Sequence, residues 1–149
     1  MEVIKERVKI VGENQIRQDE EQEVIPFSSL GTIYIHEQAI FLTFEMEDAS
    51  GKHDIRMKLA KDKQSAEIVR RNNMGKLKLP LVLGKDQTFT YALAGVGQLA
   101  LQSRLNALEV EGDEGQGRVV CQYDLSDSYK KAIGKYQLEL QYWLSLIHI

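Results

Sequence analysis

Residues 39–59, AIFLTFEMEDASGKHDIRMKL, decide the fold. Apolar side chains occupy every second position before the turn DASGK, and they do so again after it. Such alternation is typical of a β-strand that packs one face on a core and exposes the other to water. Gly51 suits the turn because glycine tolerates a positive φ. The stretch therefore predicts a β-hairpin whose inward side chains are Ile40, Leu42, Phe44, Met46, Ile55, Met57 and Leu59.

The same period of two runs along the rest of the chain. It predicts strands at 3–16, 24–30, 32–37, 65–71, 76–84, 89–94, 98–111, 118–125 and 135–142, with a kink near 104–107. No stretch of a dozen residues has a helical pattern, although 126–132 is long enough for one helical turn. About ten short strands at this spacing leave an antiparallel barrel or sandwich. We favour a barrel, because closing a sheet on itself removes exposed edges.

Composition narrows the functional class. The chain has 149 residues, one domain's length, and a net charge of -3. It lacks the basic excess that neutralises nucleic-acid phosphates, so we expect no nucleic-acid binding. The single Cys121 cannot form an internal disulfide, the first residues contain no apolar signal region, and no apolar run is long enough to span a bilayer. We expect a cytoplasmic protein without membrane contact.

No motif for catalysis, a metal or a cofactor stands out. The glycine-rich stretches at 95–98 and 112–117 lack the lysine and the strand-to-helix context of a phosphate loop. The three histidines and one cysteine show no zinc-ligand spacing, and the acidic clusters at 19–23 and 111–115 lack the oxygen pattern of a calcium loop. Cys121 shares the parity of Val119 and Tyr123, so we expect a buried, unreactive thiol. The expected function is non-enzymatic, with no cofactor and no metal.

The order of six short motifs carries a family resemblance. They are GTIYIHEQAIFLTFE at 31–45, IVRRNN at 68–73, LVLG at 81–84, GQLALQS at 97–103, GRVVCQYDLS at 117–126 and GKYQLELQY at 134–142. In this order and spacing, the chain resembles the small bacterial family of unknown function typified by YwiB, whose members have a lipocalin-like (calycin) barrel. The resemblance covers nearly the whole chain. It implies an all-β fold, with a single antiparallel barrel of about 8–10 strands over residues 1–143.

The resemblance also implies site residues. The family's strand-end arginine falls on Arg71, counting back from Gly84, and its tyrosine falls on Tyr91. Its YD pair matches Tyr123 and Asp124. The chain departs from the family where a small residue, a glycine and two threonines are usual, namely at Asn72, Asn73, Leu93 and Leu105. The departures remove two hydroxyls from any polar site that the family shares, whereas asparagine still tolerates a left-handed turn.

Arg71 and three tyrosines form the predicted ligand site. Arg71 ends a strand at the expected barrel mouth, and Tyr91, Tyr123 and Tyr136 are expected to line the interior with their hydroxyls. Two roles fit Arg71. It either closes the barrel end by stacking on an aromatic ring, or it binds the carboxylate or phosphate of a ligand. The sequence leaves both roles open.

Two functions follow from a barrel. One is the binding of a small apolar or anionic ligand, which an open cavity of more than roughly 300 Å³ favours. The other is protein interaction or homodimerisation at an unpaired strand edge, which a barrel filled with side chains favours. The candidate edges are the charged first strand and the segment at 77–83, where Pro80 cannot donate a ladder hydrogen bond. The expected inward set is bulky and includes Phe44, Met46, Leu99, Leu101, Tyr136 and Leu138.

Residues 144–149, LSLIHI, break the alternation of the last strand. They look like the translation of CTG TCT CTT ATA CAC ATC, part of a transposase-based sequencing adaptor. We therefore expect a non-native tail in which His148 has no function. The alternative is a genuine apolar tail that packs on the barrel mouth.

Overall fold

The computed structural model of the protein describes residues 4–49, 51–93, 95, 97–113 and 115–145. These ranges contain ten β-strands and no helix, so none of the described segments is a helix able to cross a membrane. The strands are β1 (Ile4–Gln18), β2 (Glu21–His36), β3 (Ala39–Asp48), β4 (Gly51–Ala60), β5 (Ser65–Asn72), β6 (Gly75–Val82), β7 (Asp86–Leu93), β8 (Gly97–Gly112), β9 (Gln116–Asp127) and β10 (Ala132–Leu144).

All ten strands belong to one antiparallel sheet, in the order β6-β5-β4-β3-β2-β1-β10-β9-β8-β7. The sheet curls until its two end strands contact each other, and Leu83 forms a bridge with Leu105 beside this seam. The Ser103 hydroxyl crosses the seam and donates a hydrogen bond to the Pro80 carbonyl. The protein is therefore a nearly closed, all-β barrel, which confirms the predicted fold class.

β2 is one strand of 16 residues where the sequence predicted two, at 24–30 and 32–37. Its pairing with β1 is continuous across Gly31, which lies opposite Val8. Glycine is needed there because a Cβ would meet the Thr43 carbonyl oxygen of β3. On the N-terminal side of Gly31, β2 and β3 separate, since β2 pairs with β3 only over residues 32–36. Within the described chain, the earlier part of β2 has a strand neighbour on one side only.

Both prolines of the chain lie at strand edges of this kind. Pro26 is in the part of β2 that pairs with β1 alone, and Pro80 is in β6, whose ladder partner is β5. A proline has no N–H to offer, so it discourages a further strand from pairing. The edge position predicted for Pro80 is confirmed. The proposed edge at the first strand was wrong, because β1 is long enough to pair along most of its length with both β2 and β10.

One apolar core fills most of the barrel. Its largest fully buried side chains are Tyr142, Ile10, Ile33, Leu42, Met57, Leu59, Leu81, Leu105, Leu140, Val8, Val119 and Cys121. The predicted hairpin is confirmed, since β3 pairs with β4 around Gly51, whose φ is 115°. All seven of its predicted inward side chains belong to the core or pack against it.

β8 contains the predicted kink as a bulge between Leu105 and Ala107. In a regular strand, Leu105 and Leu108 would lie on opposite faces, because they are an odd number of positions apart. The extra residue, Asn106, lets both of them face the core. The inward position expected for Leu99 was wrong, because this residue is 49% exposed. Leu99 pairs with Tyr91 on β7, beyond the point where β9 begins to pair with β8, so β9 does not cover it.

β10 continues to Leu144, beyond the predicted strand end at 142. The Leu144 N–H donates a hydrogen bond to the Gly115 carbonyl (2.8 Å), and the Ser145 N–H donates to the Arg7 carbonyl (3.0 Å). Residues 146–149 lie outside the described residues. The boundary at 143 and the non-native tail therefore stay predictions.

Candidate binding site

The alternation of β5 decides which arginine enters the barrel. Ala66 and Ile68 are buried in the core, so Arg70, two residues further on, also points inward. Arg71 is exposed on the outer face. Arg71 was expected at the barrel mouth, whereas the inward position at this end of β5 belongs to Arg70, because a shift of one residue moves a side chain to the opposite face of a sheet. A ligand role for Arg71 stays a prediction, now on the outer surface.

Arg70 borders a cavity of about 110 Å³ inside the barrel. Four polar side chains line this cavity, and they come from four strands: Asn14 of β1, His53 of β4, Arg70 of β5 and Tyr123 of β9. The other lining residues are apolar: Ile16, Ile25, Met46, Ile55, Ile68, Leu77, Leu79 and Leu138. Strand register explains part of this grouping, since Arg70 lies opposite Ile55 on one side and Leu77 on the other. The name polar cavity is used for this space below.

The guanidinium of Arg70 lacks a counter-ion in the described structure. Its Nε atom is buried without a hydrogen-bond partner, and no carboxylate of the described residues forms an ion pair with it. A charge in apolar surroundings costs free energy unless it is paired or hydrogen-bonded. Arginine does not escape this cost by losing its proton, because its pKa is too high. The cavity therefore favours a negatively charged group beside Arg70.

His53 is held in one tautomer by a short chain of hydrogen bonds. The Met74 N–H donates to Asn72 Oδ1 (2.8 Å), which identifies the other end of the amide as the NH₂ group. That group lies 2.9 Å from His53 Nδ1, so Nδ1 accepts and the ring proton is on Nε2. His53 is only 3% exposed. It brings an N–H donor to the wall of the polar cavity.

Asn14 is the second cavity residue with an unsatisfied atom. Its Oδ1 is buried and has no hydrogen-bond partner in the described chain. A buried acceptor left in this state costs about 1–3 kcal/mol. Asn14 occupies an inward position of β1, in the row that contains Val8, Ile10 and Ile16. Two polar side chains of the cavity thus each bury an atom that has no hydrogen-bond partner among the described residues.

Tyr123 and Tyr136 pair across β9 and β10, with ring centroids 5.2 Å apart and planes 8° from parallel. Burial raises the pKa of the Tyr123 hydroxyl well above its usual value; Cys121 and Tyr136 add to the increase, and Arg70 opposes it. Tyr123 is therefore a neutral hydrogen-bond donor at the polar cavity. Tyr136 borders an outer groove of about 320 Å³, and its hydroxyl accepts a hydrogen bond from Gln18 Nε2 (3.2 Å).

The other two predicted site residues lie apart from the polar cavity. Tyr91 is half-buried on β7, opposite Leu99, and is not among the lining residues. Arg71 borders an open outer groove of about 630 Å³. Positive and negative side chains alternate there, namely Arg56, Arg71, Lys76 and Lys78 with Glu45, Asp54 and Glu67. The structure therefore brings together two of the four predicted residues, Tyr123 and Tyr136.

One role considered for Arg71 was to close the barrel end by stacking on an aromatic ring, and the described residues contain no such contact. The cation–ring contact found there joins Lys58 Nζ to the Phe41 ring, 5.9 Å from its centroid. Neither Arg70 nor Arg71 stacks on an aromatic ring in these parts of the chain. Barrel closure therefore depends on strand pairing and on the seam contacts rather than on an arginine.

The thiol of Cys121 is fully buried, as the sequence predicted. Burial raises its pKa to about 12. A thiol this weakly acidic does not act as a nucleophile near neutral pH. Over the described ranges, no three His, Cys, Asp or Glu side chains come together in a way that could hold a metal ion. The groups described at the polar cavity are thus the Arg70 charge and the polar side chains of Asn14, His53 and Tyr123.

Sequence reasoning missed Asn14, His53, Arg70 and Asn72. Strand parity contains a signal for the first three, because they occupy inward positions in rows that are otherwise mainly apolar. Asn72 gives no such signal. Its role depends on the Met74 N–H and on the position of His53 on the neighbouring strand, which only the folded chain brings together.

These features define a class of protein: a single antiparallel β-barrel with a small polar cavity in its interior. The family model described as "Domain of unknown function (DUF1934)" matches residues 8–140. The match covers most of the chain, and the protein therefore belongs to this family. The function of the family is unknown, as its description says.

Two further comparisons agree with this assignment. The chain is 26% identical over 110 residues to the "Uncharacterized beta-barrel protein YwiB" of Bacillus subtilis (strain 168), which covers 74% of this chain and 75% of the relative. The crystal structure of the ywiB protein from Bacillus subtilis matches with a TM-score of 0.79 at 20% identity, over 95% of this chain and 93% of that one. The family resemblance inferred from the motifs is confirmed, and the structural likeness supports the barrel fold.

Proposed function

We propose that this protein binds a small, negatively charged molecule inside the barrel, with Arg70 as its anchor. The observation that carries the proposal is the Arg70 guanidinium, which borders the polar cavity without a counter-ion among the described residues. Tyr123 supplies a neutral hydrogen-bond donor on another wall of the same cavity. The proposed role is binding rather than catalysis, since these groups supply a charge and donors but no activated nucleophile.

A cavity below roughly 300 Å³ meets the expectation for a filled barrel, so its size alone favours protein interaction. The position of Arg70 favours ligand binding instead, and the cavity size limits which ligand can fit. The polar cavity measures about 110 Å³, which is below the roughly 300 Å³ of pockets that enclose drug-sized ligands. It equals the liquid volume of about four water molecules at roughly 30 Å³ each. Side chains fill the rest of the interior. The proposed ligand is therefore a molecule of a few heavy atoms and not a lipid.

Native mass spectrometry tests the proposal on protein purified gently from bacterial cytosol, the compartment in which we propose that it acts. The informative variants are Arg70→Met and Arg71→Met. They remove the same charge from adjacent residues, one inside the barrel and one on its outer face. We expect a defined extra mass on the wild-type protein and on Arg71→Met, and its loss from Arg70→Met.

Two results would contradict the binding proposal. One is an extra mass that Arg70→Met retains at full occupancy, since the ligand would then sit elsewhere. The other is a bare protein mass under the gentlest conditions, together with no binding of small anions added in excess. Loss of the extra mass from Arg71→Met alone would move the site to the outer groove.

A second candidate function is association with another protein through the outer face of the barrel. Leu30, Val11 and Trp143 are 57%, 40% and 41% exposed. They lie close together, because Lys9 pairs with Leu30 on one side and with Trp143 on the other. Neighbouring exposed apolar side chains favour a protein interface. Strand addition is disfavoured at β6 and at the part of β2 that pairs with β1 alone, since each contains a proline. Face-to-face contact is therefore the mode that we propose.

The same mass spectra test self-association. A dimer that Leu30→Lys abolishes would support the outer face as the interface. Leu99→Lys is the control, since Leu99 is 49% exposed on a different hairpin. A monomer at all micromolar concentrations would contradict homodimerisation.

A further inference from the structure

The polar cavity points to one chemical class of ligand. We propose that its occupant is a short aliphatic monocarboxylate, with the carboxylate at Arg70 and the hydrocarbon part among the isoleucine, leucine and methionine side chains of the wall. This inference rests on the proposed binding function and goes further by naming the ligand class. Three features of the cavity carry this inference: its net charge, the unsatisfied Nε atom of Arg70 and the apolar side chains of its lining.

The net charge of the polar cavity is a single positive charge. Arg70 is the charged residue of its lining. Tyr123 keeps its proton, because burial raises the pKa of its hydroxyl. One unit of negative charge therefore balances the cavity, whereas a second would lie uncompensated in apolar surroundings. A monoanion fits this balance. Phosphate monoesters carry about −1.5 to −2 near neutral pH and do not.

The unsatisfied atom of Arg70 favours a planar anion. The Nε–H and one Nη–H of a guanidinium lie side by side, and a carboxylate accepts from both with its two oxygens. In this protein Nε is the buried atom without a partner in the described chain. A carboxylate that approaches Arg70 side-on would satisfy it after the side chain turns toward the cavity, since Nε itself is buried.

The lining of the polar cavity favours a ligand that is apolar outside its carboxylate. Eight of the twelve lining residues are isoleucine, leucine or methionine. An inorganic anion would leave these side chains against a strongly hydrated ion, whereas an alkyl chain buries apolar surface at roughly 0.8 kcal/mol per CH₂. The small volume limits the chain to a few carbons. A cationic ligand is excluded by repulsion from Arg70.

Methyl-detected NMR titration tests the ligand class directly. The probes are sodium butyrate, n-butanol, n-butylamine and inorganic phosphate at matched ionic strength and pH. We expect butyrate to shift the methyl signals of Met46, Ile55 and Ile68 at the cavity in a saturable way. Ile133, which is 36% exposed and does not line the cavity, serves as the unperturbed control. Arg70→Met should weaken butyrate binding about tenfold or more, and Arg71→Met should leave it unchanged.

The alternative outcomes separate this inference from the binding proposal. If n-butanol binds as tightly as butyrate, or phosphate binds and butyrate does not, the ligand class is wrong while binding in the cavity stands. If no probe shifts the cavity methyl groups but the purified protein carries an Arg70-dependent extra mass, the ligand class is again wrong, while binding in the cavity stands. If no probe binds and the native mass is bare, both proposals fall.

Discussion

Two regions of the same barrel interior differ in how far they satisfy the groups that they bury. In the packed region, Ile10 pairs with Tyr142, Leu140 pairs with Val119, and none of the four is more than 1% exposed. The Tyr142 hydroxyl in this region donates to the Asp113 carbonyl at 2.7 Å. In the polar cavity, Arg70 Nε and Asn14 Oδ1 have no partner among the described residues.

The difference shows that the same strand alternation produces both a close-packed region and a region with unsatisfied polar atoms. Strand alternation places side chains inward in both regions, so the backbone treats them alike. The packed region contributes stability, because close-packed apolar side chains are withdrawn from water. The polar cavity gives up part of that stability, because it buries polar atoms without partners among the described residues. Sites with unsatisfied polar atoms often mark such an exchange of stability for function.

The largest expected effect is in the packed region. Leu140→Ala should lower the free energy of unfolding by about 2–5 kcal/mol, because it leaves a cavity among close-packed neighbours. Leu30→Ala, at a residue that is 57% exposed, should change it by no more than about 0.5 kcal/mol. Urea denaturation measures both. Equal losses for the two variants would contradict the distinction between the packed region and the surface.

Overpacking at the edge of the packed region should lower the free energy of unfolding somewhat less than Leu140→Ala does. A Cβ at Gly117 would meet the ring and hydroxyl of Tyr142 and the Glu111 carbonyl oxygen. Gly117→Ala should therefore destabilise the protein by about 1–3 kcal/mol. The cost should shrink in a Tyr142→Leu background, where the ring is absent, and a double-mutant cycle of unfolding free energies measures this coupling. Strict additivity of the two changes would show that Tyr142 is not the obstacle.

High pH should weaken the fold through a group that the interior keeps protonated. Burial raises the pKa of Cys121 from 9.0 to about 12. Between these values the unfolded chain loses a proton that the folded chain retains, so the free energy of unfolding falls as pH rises, by at most about 1.4 kcal/mol per pH unit. Tyr123 acts in the same direction above pH 10.0. The slope from the thiol begins about one pH unit below 9.0, where the thiol of the unfolded chain starts to ionise.

Urea denaturation between pH 8 and pH 11 checks this expectation. Cys121→Ala removes the thiol and should show a shallower fall with pH, even though it starts from a lower stability. Identical slopes for the wild-type protein and Cys121→Ala would mean that the thiol is not the group responsible.

The smallest expected effect on stability is at the polar cavity. Arg70→Met removes an unpaired charge and keeps an apolar side chain of similar length, so unfolding free energy should stay unchanged or rise by about 1 kcal/mol. Arg71→Met, on the outer face, should also be neutral. Thermal and urea denaturation in ligand-free buffer compare the three proteins. A loss above about 2 kcal/mol for Arg70→Met would identify Arg70 as a structural residue and remove the contrast between the two regions.

Sequence patterns predicted the parts of the fold that depend on local alternation. The β3–β4 hairpin, the edge at Pro80, the kink in β8 and the burial of Cys121 were all predicted correctly, because each follows from period-two parity or from the chemistry of one residue. Parity also contains the signal for Arg70. The choice of Arg71 came from counting along a family motif, and such a count does not decide which face of the strand the side chain occupies.

Features that depend on distant strands were beyond the sequence. The exposure of Leu99 is set by where β9 begins to cover β8. The continuity of β2 across Gly31 is set by its pairing with β1. Neither boundary is encoded in the strand that it affects, since each is a property of a neighbour many residues away.

The sequence by itself determined that this protein is an all-β barrel, which residues alternate between core and surface, and that the chain belongs to a family of β-barrels. Tertiary structure alone decided that Asn14, His53, Arg70 and Tyr123 meet at one cavity. The physical reason is that alternation assigns each side chain to a face of its own strand. Closure of the sheet then determines which inward side chains from different strands face one another.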